Sequence, residues 1–180
     1  MIYMFLADGF EEIEAIATAD VILRAGLELK TVGIGADVIT GAHGIKIESD
    51  LSENRVSTDD DISAVILPGG MPGTINLKNS VVVNNFLDFA YKNDILICAI
   101  CAAPSILGSL GYLNGKKAVC FPGFEDELKG AIIQKDLVCK DANIITAKGA
   151  GVAIDFGLEI VKALDSEEKA ISIKESMQCK

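Results

Sequence analysis

Tryptophan is missing from this sequence and aromatic residues make up only 6 % of it, so any core has to be built from aliphatic side chains. Positive charge is also scarce: 16 Lys and Arg stand against 26 Asp and Glu, a net charge of −10. A phosphate backbone would be repelled without a local basic patch, and the nearest thing to one is the pair Lys116-Lys117. Nucleic acid is therefore not an expected partner. No apolar run reaches the ~18 residues of a membrane span, so no membrane role is expected either. The opening MIYMFLADGFEE has no basic residue and turns acidic at Asp8, which suits a first strand rather than a signal peptide. Nor is there a disulfide framework. The five cysteines are odd in number and irregularly spaced, which points to a reducing compartment, the cytoplasm. Finally, no lysine follows Pro68-Gly-Gly-Met-Pro-Gly73 as a phosphate-binding loop would require.

What is present is alternation. Residues 1–7 form a continuous apolar run, as in a strand buried on both faces. Residues 10–25 have helical composition with Gly26 as the stop, and 27–34 read as a second strand. This βαβ opening predicts a parallel sheet. Residues 36–58 hold short β-prone pieces, read as a hairpin or an excursion outside that sheet. Strands are expected at 63–67, 95–100 and 143–147, with shorter ones at 117–120 and 136–140. Helices are expected at 80–92, 103–111, 151–165 and 166–177. No repeat, linker or low-complexity tract divides the chain, so residues 1–180 are expected to form a single domain. The fold class is α/β, a three-layer sandwich around a flavodoxin-like, doubly wound, mostly parallel sheet.

In such sheets chemistry gathers at the carboxyl ends of the strands. The ends to inspect are Ala7-Asp8-Gly9, Leu67-Pro68-Gly69-Gly70, Ile100-Cys101-Ala102 and Ala147-Lys148-Gly149, and only one carries a nucleophile. Around Cys101 a buried strand ends, one residue turns the chain, and a helix begins between the small residues Ala99 and Ala103. That is the nucleophile-elbow layout. A helix N-terminus is expected to favour the thiolate, and the N–H groups of Ala102 and the Gly69-Gly70 turn could form an oxyanion hole. The ordinary alternative is a buried structural cysteine. Cys98 completes a Cys-x-x-Cys, but it lies within the strand, where the two sulfurs would not meet. Cys120 and Cys139 read as core residues and Cys179 as part of the tail.

The helix at 10–25 supplies a partner. Glu11 and Glu12 in its first turn are adequately explained by the helix dipole. Glu14 instead lies between Ala17 and Val21 on one side and Ala25 and Thr18 on the other. A carboxyl in such surroundings has a raised pKa and is suited to stay protonated beside a thiolate; the alternative is a half-exposed helical glutamate. The helix has no clean polar face, so one side should pack on the sheet and another on a second subunit, making a homodimer.

With DGFEEIEA, LPGG and AICAAPSIL in this order, the chain resembles the ThiJ/PfpI superfamily, in particular its DJ-one-like group, over nearly its whole length. The resemblance implies the class I glutamine amidotransferase-like form of the flavodoxin-like sandwich, and a dimer. It makes Cys101 the reactive elbow thiol, Glu14 its protonated partner, and Gly70 part of a small pocket, with no metal and no organic cofactor. The chain departs from the family's patterns in four places. Ala102 stands where the peptidase branch has histidine, which argues against proteolysis. Phe121 stands where some members have a histidine near the thiol. His43, the only histidine, stands where some have an arginine contributed across the dimer; a solvated turn residue is the alternative. Gly149-Ala150-Gly151 replaces a Gly-Pro-Gly turn. The implied activity is glyoxalase- or deglycase-type hydrolysis of a small carbonyl compound or its adduct. The alternative is an oxidative-stress sensor or redox-controlled chaperone acting through oxidation of Cys101. Thiamine biosynthesis, suggested by the superfamily's name, finds no nucleotide or phosphate motif here.

Overall fold

The computed structural model describes residues 1–179. Strand β1 (Ile2–Leu6) is apolar at every position because both faces of the sheet are covered. Ile2, Met4 and Leu6 enter one core, while Tyr3, Phe5 and Ala7 enter the other. Helix α1 (Glu12–Arg24) follows and is stopped by Gly26, whose φ of +79° carries no steric penalty in glycine. β2 (Leu29–Gly33) then pairs with β1 in parallel.

β3 (Val38–Thr40) and β4 (Lys46–Glu48) form a separate antiparallel hairpin, as expected. The excursion is shorter than expected, however, because β5 (Leu51–Ser52) returns to the main sheet beside β2. β6 (Ala64–Leu67) leads into α2 (Gly73–Asn79), a helix hidden from a composition-based reading by its Met-Pro-Gly start. α3 (Val81–Lys92) is capped by Ser80, whose side chain accepts the Val83 N–H. β7 (Leu96–Ile100) and α4 (Pro104–Ser109) flank Cys101.

Next come β8 (Lys117–Ala118) and β9 (Ile132–Ile133), a two-stranded parallel ladder apart from the main sheet. β10 (Val138–Asp141) pairs antiparallel with β11 (Ile144–Ala147), and α5 (Ala153–Leu164) and α6 (Glu167–Ser176) close the chain.

The main sheet runs β10-β11-β7-β6-β1-β2-β5, with β10 its antiparallel strand. α1, α5 and α6 cover one face, and α2, α3 and α4 cover the other. The flavodoxin-like three-layer sandwich expected from the sequence is the fold observed. Among the described residues, no helix is long and apolar enough to cross a membrane. The carboxyl ends of β1, β6, β7 and β11 meet along one rim, and the candidate site is built there.

Candidate functional site

Cys101 has a φ of +66°, a left-handed conformation that costs energy in any residue with a Cβ. A neighbouring strand and a neighbouring turn hold it in place. Its N–H donates to the Ala147 carbonyl at 2.9 Å, and its own carbonyl accepts the Phe121 N–H at 2.8 Å. The strain turns the thiol away from the sheet and into a cleft, which is the elbow geometry expected. Gly69 has to be glycine: a Cβ there would lie 2.6 Å from that of Cys101 and 2.8 Å from Glu14 Oε2. The backbone N–H groups of Gly70 and Ala102 both face the sulfur.

Glu14 reaches the same point from α1 and is only 1 % exposed. Its Oε2 accepts the Gly69 N–H at 2.8 Å. Oε1 is buried without a hydrogen-bond partner, and the nearby Cys101 thiol is the group that acts on the carboxyl besides Gly69. Burial pushes the Glu14 carboxyl up to about 7, against the pull of the Gly69 N–H and the thiol.

The thiol behaves differently from the expectation set by its helix N-terminus. Burial, and after it the negative charge of Glu14, push Cys101 up to about 12, outweighing the Gly70 and Ala102 N–H groups. Six residues of α4 supply too little field to reverse this. Carboxyl and thiol therefore titrate as a pair. One proton leaves near neutrality, and the second is held because a second anion would form beside the first. Near neutral pH the pair holds a single negative charge, carried by the carboxyl, and that charge moves to sulfur when the thiol proton passes to Glu14.

The cleft has a volume of about 280 Å³ and is lined by Glu11, Glu14 and Cys101 together with the apolar Met71, Phe121 and Phe124. A larger cleft of about 490 Å³ lies between Asp8, Glu53 and Asn79, but it holds no thiol, and its one hydroxyl, Ser80, is occupied in capping α3.

The sequence reading missed the apolar wall of Met71 and Phe124, which are brought in by loops that carry no periodic signal. It also undervalued Glu12. That residue is 3 % exposed and is not a solvated first-turn acid. Its carboxylate accepts the His43 N–H at 2.7 Å, the His43 ring at 2.9 Å and the Ile45 N–H at 3.4 Å. Burial alone would raise its pKa; these donors win and pull it down to about 2. His43 is exposed, as expected, but its Nδ1 is committed to Glu12, with Glu11 Oε2 at 3.6 Å. Among the described residues these three side chains are the group that could hold a cation, their ligand atoms lying within 4.8 Å of one another, yet each already serves another as a partner. Cys98, Cys120 and Cys139 are buried, as the sequence reading has them.

The family model for the DJ-1/PfpI family matches residues 1–163. The chain belongs to that family. It is 33 % identical to Protein dj-1beta of Drosophila melanogaster over 97 % of this chain and 94 % of that one. It is equally 33 % identical to the glutathione-independent glyoxalase DJR-1.2 of Caenorhabditis elegans, over 91 % of this chain and 87 % of the other. Among solved structures, oxidised DJ-1 of Toxoplasma gondii superposes with a TM-score of 0.95 at 29 % identity, over 99 % of this chain and 97 % of that one.

Proposed function

We propose that this DJ-1/PfpI protein is a cofactor-independent glyoxalase- or deglycase-type enzyme. The observation that carries the proposal is the buried Glu14 carboxyl set against the Cys101 thiol at a strained elbow, with two backbone N–H groups aimed at the sulfur. The name of the nematode relative supports the reading.

In this mechanism the Cys101 thiolate adds to the aldehyde carbon of a 2-oxoaldehyde, and the aldehyde oxygen takes the Glu14 proton as it becomes a hydroxyl. The Gly70 and Ala102 N–H groups face the sulfur, and the developing oxyanion, two bonds from that sulfur, is proposed to take up their hydrogen bonds. Glu14, now ionised, removes the proton from the former aldehyde carbon and returns it to the adjacent carbon through an enediol, leaving a thioester of the 2-hydroxy acid. Water cleaves the thioester, releasing the acid and restoring the thiol. The sum is oxoaldehyde plus water giving hydroxy acid, with no net oxidation.

The test is lactate formation from methylglyoxal without glutathione. Wild type should turn over many times per chain and Cys101→Ser not at all. Absence of turnover, together with conversion of Cys101 to a sulfinate by two equivalents of peroxide, each reduced to water, would favour the second reading, a sensor whose sulfinate is held by Glu14. The half-buried position of that thiol and the oxidised relative are what speak for it.

The assembly proposed is a homodimer. α1 exposes Ile13, Ile16 and Leu23 on its outer side, as a helix does when a second subunit covers it. His43 sits on Glu11 and Glu12 at the start of that helix and is proposed to reach the partner subunit's site through its free Nε2. Five unpaired cysteines support a reducing cytoplasm as the setting.

A further inference from the structure

Phe121 lines two clefts at once. One is the thiol's own cleft, and the other is a neighbouring groove of about 300 Å³ bordered by Pro122, Gly149, Ala150, Gly151 and Val152. The Phe121 backbone N–H bonds the Cys101 carbonyl, which anchors the residue beside the elbow. Its ring lies against Gly149, where an added Cβ would come within 3.1 Å of Cδ2. Yet the residue is 47 % exposed, so part of it is open to a ligand.

Charge in this region is one-sided. The ionisable groups lining the inner cleft besides the thiol are the carboxyls of Glu11 and Glu14. The one cation at the outer groove, Lys148, donates its Nζ to the Lys135 carbonyl at 2.9 Å. A dry apolar cavity of roughly 150 Å³ already holds a benzene ring, so either space admits one. A flat ring against the exposed part of Phe121 would gain offset or edge-on aromatic contact as well as burial.

We propose that Phe121 makes this site selective for neutral 2-oxoaldehydes whose second substituent is aryl or similarly flat and apolar, over methyl-substituted and anionic ones. The proposal rests on the catalytic reading above for turnover, but not for recognition at the thiol. In a productive pose the aldehyde carbon meets the Cys101 sulfur, and the substituent runs over Phe121 into the groove.

The experiment has two arms, so that recognition and turnover fail separately. In the first, Cys101 is alkylated by 2-bromoacetophenone and by bromoacetone. In both, sulfur bonds to the CH2 carbon, bromide leaves with the bonding pair, and the thiol proton passes to Glu14 or solvent. The rates are normalised to those of free glutathione. The phenyl-to-methyl ratio should exceed unity by about tenfold in wild type, the order expected from filling an apolar pocket. It should fall close to unity in Phe121→Ala and lie between in Phe121→Leu, which keeps an apolar side chain. Bromopyruvate, which is anionic, should react more slowly than bromoacetone on the same scale. A wild-type ratio near unity, a ratio unchanged in Phe121→Ala, or a fast bromopyruvate reaction would overturn the proposal. In the second arm, kcat/KM for phenylglyoxal and methylglyoxal should show the same change of ratio in the same variants. Turnover of neither, with the alkylation ratio intact, would remove the catalytic reading and leave the selectivity standing.

Discussion

Glu12 and Glu14 stand two residues apart on one helix, and both are buried, yet their carboxyls are driven in opposite directions. Glu12 is pulled down to about 2 and Glu14 pushed up to about 7. Burial raises both, and more strongly at Glu14, which has far more of the protein packed around it. The supply of donors separates them further. The turn between β3 and β4 folds over Glu12 and offers it two N–H groups and an imidazole. Glu14 receives one N–H, from Gly69, and otherwise faces a thiol. The first arrangement stores a fixed charge that ties a loop to a helix. The second keeps a proton mobile near neutrality, which is what a group that must give and take a proton needs.

The widest break in this comparison should come from Glu14→Gln. Turnover should fall about a hundredfold or more, as for loss of a general acid and base. The step near neutrality belongs to the carboxyl, so thiolate absorbance should show one alkaline titration in both proteins, moved to lower pH in Glu14→Gln, where the negative charge beside the sulfur is gone. Stability should move the other way. The folded pKa of Glu14 lies above its ordinary value of 4.5, so its contribution is complete below pH 4.5 and lost as pH climbs through about 7. Wild type should therefore weaken across that window and Glu14→Gln should not, a relative gain of about 3 kcal/mol for the variant once the window is passed. Urea midpoints measured across pH check this. Equal slopes in the two proteins would mean that Glu14 ionises as freely in the fold as outside it.

Glu12→Gln should act more weakly and on a different property. Removing the charge that the His43 and Ile45 N–H groups bond to should cost about 2 kcal/mol near neutral pH. Here the folded pKa lies below the ordinary one. The stabilisation is thus present above pH 4.5 and lost as pH falls towards about 2, where variant and wild type should converge. Alkylation of Cys101 by iodoacetamide should keep its wild-type rate. A loss of thiol reactivity equal to that of Glu14→Gln would show that the two carboxyls form one network rather than two.

The contrast also marks how far the sequence can be read. Strand-end logic finds Cys101, because a buried apolar run that stops at a small-residue turn has few other meanings. The wheel position of Glu14 among small and apolar neighbours foretells its raised pKa. Glu12 was not legible. Its neighbours along α1 say nothing about a turn thirty residues later that packs a glycine and two N–H groups against it, and Gly41 is needed there because the Glu12 carboxyl occupies the space of a Cβ. The thiol's pKa was misjudged for a related reason. Local sequence displays the helix N-terminus but not the burial and negative charge converging on the sulfur from α1. Non-local donors and charges decided each case that local pattern could not.

The finest probe of the contrast is His43→Ala. The hydrogen bond to Glu12, and then the charges of Glu11 and Glu12, hold the His43 imidazole above its ordinary 6.5. Its stabilising contribution is therefore complete below pH 6.5 and fades as pH rises through the raised folded value. The variant should lose less stability than Glu12→Gln, because the Ile45 and His43 backbone N–H groups still serve the carboxylate. The gap to wild type should be widest in mild acid and close in alkali. In a Glu12→Gln background the pH-dependent part of that gap should largely disappear, since the charge that holds the proton on the imidazole is gone. Thermal melts of the four proteins at mildly acidic and alkaline pH would show it. If the His43 effect persisted undiminished in that background, Glu11 would be the principal partner of the imidazole, and Glu12 would owe its depressed pKa to backbone N–H groups alone.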